Sequence, residues 1–142
     1  TGRIKDLIIT SGGKNISPSN IENSLLSSRF IEQVAVIGDN RKYLSALIVP
    51  SFENLASWAK DKGIAFGENR ELLTNGKVLE LFTSEIEGCM SDYARVEQIR
   101  KFTLMETPWS QETGELTPTL KLKRRIITQK YAGQIEAMYP AD

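Results

Sequence analysis

At 142 residues, with 18 basic and 18 acidic side chains, the chain is long enough for one domain with its own core and has no net charge to favour nucleic acid or an anionic membrane. It contains no histidine, which removes Ser-His-Asp and Cys-His nucleophile systems, His-based zinc sites and histidine pH switches together. A single cysteine, Cys89, excludes an internal disulfide and fits a reducing compartment.

Residues 5–10 (KDLIIT) predict a short β-branched strand, and Ser11-Gly12-Gly13-Lys14-Asn15 a tight turn whose glycines are free to take positive φ. Ser17-Pro18 reads as a helix N-cap followed by proline at the first helical position. Ser19 to Glu22 offers an overlapping capping box, so a helix over 18–27 is expected. Residues 33–38 and 44–50 are apolar, β-rich runs separated by Gly38-Asp39-Asn40-Arg41-Lys42, the pattern of an antiparallel hairpin. A modest amphipathic helix over 52–62 carries Leu55 and Trp58 and is ended by Gly63. Residues 67–75 are polar, a loop with a turn of helix around 71–73.

The longest helix is predicted over 76–93. Val78, Leu79, Phe82, Ile86, Cys89, Met90 and Tyr93 recur at three- and four-residue steps, which makes them one core-facing stripe and Cys89 a packing thiol. A strand is centred on 99–104, residues 109–120 are irregular, and a final helix over 123–138 puts Ile126, Ile127, Tyr131, Ile135 and Met138 inward. This order predicts an α+β fold: a small antiparallel or mixed sheet flanked by helices. No apolar run is long enough to cross a bilayer.

The chemistry sits at the two ends. In Gly114-Glu115-Leu116-Thr117-Pro118-Thr119-Leu120-Lys121-Leu122-Lys123-Arg124-Arg125 a structure-breaking tract runs into a cationic cluster at the start of a helix. Cations there oppose the helix dipole by up to about 1 kcal/mol each, so helix stability does not explain the cluster. Two readings stand: a solvated basic turn, or a loop that delivers a cation to a phosphate or carboxylate. The glycine turn likewise reads either as an anion cradle or as a hairpin that needs glycine for steric reasons.

Together the tracts carry a resemblance. The segment from Gly2 through Arg3, Lys5, the Ser11-Gly12-Gly13-Lys14-Asn15 turn and Ser17-Pro18 to Glu22 resembles the opening of the C-terminal domain of adenylate-forming enzymes. Gly114 to Arg124 is similar to that superfamily's closing motif in the version used by long-chain fatty-acid–CoA ligases. The resemblance covers essentially the whole chain. It implies the mobile lid domain, residues 1–142, of an AMP-forming acyl-CoA synthetase, isolated from an N-terminal domain that holds the acyl pocket and most of the ATP site. The fragment by itself is expected to be inactive. The implied reaction uses ATP, Mg2+ and coenzyme A: a fatty acid becomes an acyl-adenylate with release of pyrophosphate, then the thiol displaces AMP.

By this resemblance Lys121 is the catalytic lysine, with Lys123 its rival two residues on; the family pattern favours Lys121. Arg3 matches the ribose-contacting arginine and Lys5 the hinge. Gly12 and Gly13 match the turn lining the pantetheine tunnel, and Lys14 stands where a phosphate of coenzyme A or nucleotide would lie. Leu120 replaces the glycine that short-chain relatives place before the lysine, which points away from the acetyl-CoA synthetase branch. Arg124, Arg125 and Lys130 read either as a solvated face or as contacts to the coenzyme A 3′-phosphate. No resident metal is expected, nor nucleic acid or a transmembrane segment. The intact enzyme is expected in the cytoplasm, with peripheral membrane association left open. Two alternatives remain: a ligase that loads a carrier protein, and a non-catalytic binding module of the same fold.

Overall fold

The computed structural model describes residues 8–10, 13, 15–38, 41–93, 98–119 and 121–139. Its centre is a three-stranded sheet in the order β3 (Ile31–Ile37), β4 (Leu44–Pro50), β5 (Ile99–Leu104). β3 pairs antiparallel with β4, Val34 opposite Ile48 and Ala35 opposite Leu47. β5 pairs parallel with β4, Ala46 opposite Phe102. The sheet is therefore mixed, and the fold is α+β as the element order predicts.

All seven residues of β4 are buried, because strand alternation sends them into two cores. Leu44, Ala46 and Ile48, with Val34 and Val36, face a core shared with Ile21, Leu25, Leu55, Phe82, Ile86 and Met90. Leu47 and Val49, with Ala35, face a second core of Met105, Trp109, Leu116, Ile127, Ile135 and Met138. The first core is covered by α1 (Pro18–Leu25), α2 (Phe52–Asp61), the single turn α3 (Asn69–Leu72) and α4 (Gly76–Cys89). The second is covered by α5 (Arg124–Lys130) and α6 (Ala132–Ala137). The sheet thus separates the helices that follow the N-terminal turn from those that follow the basic tract.

A second, two-stranded sheet joins β1 (Ile8–Ile9) to β2 (Asn15–Ile16), Ile8 opposite Ile16. The strand expected over 5–10 is seen at its described end, and Asn15, expected as the last residue of the turn, already belongs to a strand. Gly38 is needed for space, since a Cβ there would lie 2.2 Å from Leu44 Cδ2.

Several expectations are corrected. Ser17 is the N-cap residue of α1 with extended backbone and Pro18 follows it, but its side chain makes no capping bond. Glu22 does not close a capping box; its carboxylate turns inward to Val36 and Arg124. α1 ends at Leu25 rather than at 27, where Ser28 Oγ donates to Glu85. α4 ends at Cys89 rather than Tyr93, because the Gln98 amide donates to the Met90 and Tyr93 carbonyls and stops the helix. Leu79 is 38% exposed and leaves the predicted stripe, as does Ile126 at 38% in the last helix. That last helix is two: Tyr131, at φ −110° and ψ 27°, divides α5 from α6. Cys89 is half-buried against the first core, its Sγ 3.5 Å from Ser27 Oγ, as a packing thiol should be.

Candidate functional site

The basic tract is not an open loop. Leu116 and Leu122 form an antiparallel bridge. Thr117 N–H donates to the Lys121 carbonyl at 2.8 Å, and Lys123 N–H donates to the Glu115 carbonyl at 2.7 Å. Lys121 N–H in turn donates to Thr117 Oγ1 at 3.0 Å. Residues 115–117 and 121–123 are therefore the two arms of a small hairpin, entered through Gly114 at φ +95°. It presents Lys121 at the start of its second arm, exposed, and among the described residues the ammonium has no hydrogen-bond or ion-pair partner.

Each arm is held by a buried carboxylate. In the first arm Glu115 is 1% exposed. It accepts from Tyr131 Oη at 2.5 Å, from Lys130 Nζ at 2.9 Å and from Thr113 Oγ1. Burial alone pushes the Glu115 carboxyl up, but these donors outweigh burial and bring it down to about 2 from an ordinary 4.5. Burial also pushes Tyr131 up, and donation to Glu115 adds to it, to about 12. Directly after the second arm Arg124, the first residue of α5, grips Glu22 of α1 with both prongs, Nη1–Oε2 2.6 Å and Nη2–Oε1 2.5 Å. Glu22 is 6% exposed and also accepts the Val36 N–H at 2.8 Å. Gln33 adds a third brace: its amide donates to the Trp109 carbonyl at 3.0 Å and accepts the Trp109 N–H at 2.7 Å.

Between the hairpin and α1 lies a cleft of roughly 670 Å³ whose lining includes Ser17, Glu22, Asn23, Gln33, Lys121 and Arg124. Ser17 lies between β2 and α1, so the N-terminal tract and the basic tract meet at one surface. Lys123, the rival of Lys121, is exposed but does not line this cleft.

The remaining expected site residues divide in two. Gly13 sits in the β1–β2 turn at φ +84°, its N–H donating to the Thr10 carbonyl at 2.9 Å. No heavy atom lies within 4 Å of where its Cβ would be, so backbone conformation, not crowding, calls for glycine. Arg3, Lys5, Gly12 and Lys14 lie outside the described residues. The reading as a solvated face is corrected for Arg124, which pairs with the buried Glu22; Lys130 pairs with the buried Glu115 but stays 42% exposed, and Arg125 is exposed. Glu115, Glu22 and Tyr131 are supports that the sequence does not mark, because no pattern of neighbouring residue types identifies a carboxylate by partners on a later helix. Among the described residues no group of three or more His, Cys, Asp or Glu side chains gathers to hold a metal ion. No helix among the described residues is long and apolar enough to cross a membrane.

Among the described residues, then, the hairpin holds Lys121 unpaired over a cleft beside α1. Residues 5–142 match the family model described as AMP-binding enzyme C-terminal domain, and the chain belongs to that family. It is 34% identical over 143 residues to the long-chain-fatty-acid–CoA ligase FadD15 of Mycobacterium tuberculosis, covering 98% of this chain and 23% of that protein. It is 36% identical over 141 residues to the putative fatty-acid–CoA ligase fadD11 of the same species, covering 99% of this chain and 24% of the relative. The chain thus spans about a quarter of the length of the curated relatives it matches. In fold it is similar to the adenylation domain of a carboxylate reductase from Mycobacterium chelonae, with TM-score 0.78 and 24% identity over 96% of this chain and 20% of that one.

Proposed function

We propose that the chain is the mobile C-terminal domain of a long-chain fatty-acid–CoA ligase, and that Lys121 serves its first half-reaction. In that step a carboxylate oxygen attacks the α-phosphorus of ATP, and the bond to pyrophosphate breaks. Nucleophile and electrophile are both anionic. At about 4 Å and an effective dielectric of about 20, two like unit charges repel by roughly 4 kcal/mol, an amount equivalent to roughly 10²- to 10³-fold in rate. An ammonium between them removes that repulsion and holds the pair for in-line attack. Lysine suits the task as a flexible point charge. The magnesium ion that accompanies ATP is assigned to the nucleotide phosphates and the larger domain.

In the second half-reaction the thiol sulfur of coenzyme A attacks the acyl carbonyl, the bond to AMP breaks, and the glycine turn at Gly12 and Gly13 faces the pantetheine arm. Arg3 is assigned to the nucleotide ribose, Lys14 to a phosphate, and Lys5 to the hinge that exchanges the two faces. The observation that carries this reading is the Lys121 ammonium, without a partner among the described residues, on a hairpin fixed at both arms.

The test is Lys121→Ala in the ligase that contains this domain, with each half-reaction assayed separately. Fatty-acid-dependent ATP–pyrophosphate exchange should fall by roughly a hundredfold or more. Thioester formation from preformed acyl-adenylate should stay within about twofold, because a group whose charge is needed only in the first transition state leaves the second unaffected. Equal loss of both would count against the role. If acyl transfer proceeds to a carrier protein and not to coenzyme A, the acceptor is corrected while the lysine's role stands.

A further inference from the structure

We infer that the Glu22–Arg124 ion pair is the positioning element of Lys121, an assignment that rests on the function proposed above. Arg124 lies three residues beyond Lys121, and both line the cleft together with Glu22. The first arm of the hairpin is secured within the C-terminal part of the chain by Glu115 with Lys130 and Tyr131. The second arm, which bears Lys121, reaches α1 through the two-pronged Arg124–Glu22 bond. Its far end is rigid: Ile21 and Leu25 of α1 are fully buried in the first core, and Glu22 is itself fixed by the β3 amide of Val36. A planar guanidinium held at both nitrogens fixes direction as well as distance.

The pair therefore transmits the position of α1 to the arm that carries the lysine. It does so without touching the reacting atoms, so Glu22 and Arg124 are positioning residues. Their loss should act on the half-reaction that uses Lys121 and spare the one that uses the glycine turn, since α1 and β2 keep their own core contacts. A displacement of about 1 Å at a catalytic group lowers a rate by roughly a hundredfold. An exposed side chain that can partly readjust should lose roughly ten- to a hundredfold.

The experiment measures both half-reactions in one preparation of the full ligase for Glu22→Gln, Arg124→Ala and Arg124→Lys. The ratio of adenylation to thioester formation cancels any fall in the folded fraction, which makes the test independent of stability. The ratio is expected to drop roughly ten- to a hundredfold in Glu22→Gln and Arg124→Ala, through kcat, with the KM for ATP within about twofold. Arg124→Lys keeps the charge but not the fork and should fall between these variants and the parent. An unchanged ratio, or a parallel fall of both half-reactions, overturns the inference. Lys121→Ala run alongside separates the two ideas. If it lowers the ratio while the pair variants do not, positioning by Glu22–Arg124 is wrong and the functional reading survives. If it too leaves the ratio unchanged, the functional reading falls and takes the inference with it.

Discussion

Glu22 and Glu115 are both buried, both pair with a cation of α5, and both brace the same hairpin, yet they brace it against different things. Glu115 lies within sixteen residues of its partners, with Lys130 and Tyr131 fifteen and sixteen positions on. It ties the hairpin to its own helix. Glu22 and Arg124 are separated by 102 positions, so that pair ties one chemical tract of the chain to the other. The first makes the hairpin a folded object; the second says where that object sits. Local carboxylate networks of this kind govern stability, whereas the long-range pair governs geometry.

That contrast can be broken from the Glu115 side. Glu115→Ala leaves the Tyr131 hydroxyl and Lys130 without their acceptor and should destabilise the domain by about 3 kcal/mol. The effect is read as a lower denaturation midpoint in urea at an unchanged slope. An equal effect from Glu22→Gln would erase the distinction between the two carboxylates.

A smaller effect sharpens it through pH. The folded Glu115 carboxyl lies near 2, below its ordinary 4.5. The unfolded chain therefore takes up this proton first, and the contribution is complete above about pH 4.5 and lost as pH falls toward 2. In urea titrations between pH 5 and 2, Glu115→Gln should lose less stability with falling pH than the parent. Parallel curves would show that Glu115 is not the titrating brace.

The smallest expected effect belongs to a third pair, Arg41 with Glu136, whose carboxylate is 62% exposed. Hydrogen bonding to Arg41 holds Glu136 below the ordinary carboxylate range. Water and salt screen such a pair, and Arg41→Ala should leave the midpoint and both half-reactions unchanged. A clear shift would mean that the Arg41 guanidinium stacked 4.7 Å over Tyr139 matters more than its charge.

Much of the scaffold is legible locally. The β3–β4 hairpin follows from two apolar, β-rich runs, and the start of α4 from the end of the polar stretch at Asn75, whose side chain in the structure accepts the Lys77 and Val78 amides. Lys121 and the glycine turn stand out because their residue types do not serve helix or strand. The supports are not legible in the same way. Glu115 stands in a polar, turn-rich tract where a carboxylate reads as solvent-exposed, and Glu22 stands where a capping box would use it. Only the packing of α5 against the sheet shows where their partners come from. The break at Tyr131 is hidden for the same reason, since the apolar spacing of 123–138 continues through it while the hydroxyl turns to Glu115.

The burial of β4 on both faces and its pairing on both edges has a consequence for exchange with solvent. Its amides have no local route to water, so their deuterium uptake should require opening of the whole domain and report its global free energy. The amides of Thr117 and Lys121, bonded in an exposed hairpin, should exchange by local opening and far sooner. The domain thereby carries two clocks, one slow at the centre of the sheet and one fast beside the lysine. Binding of a ligand to the cleft should slow the second and leave the first unchanged.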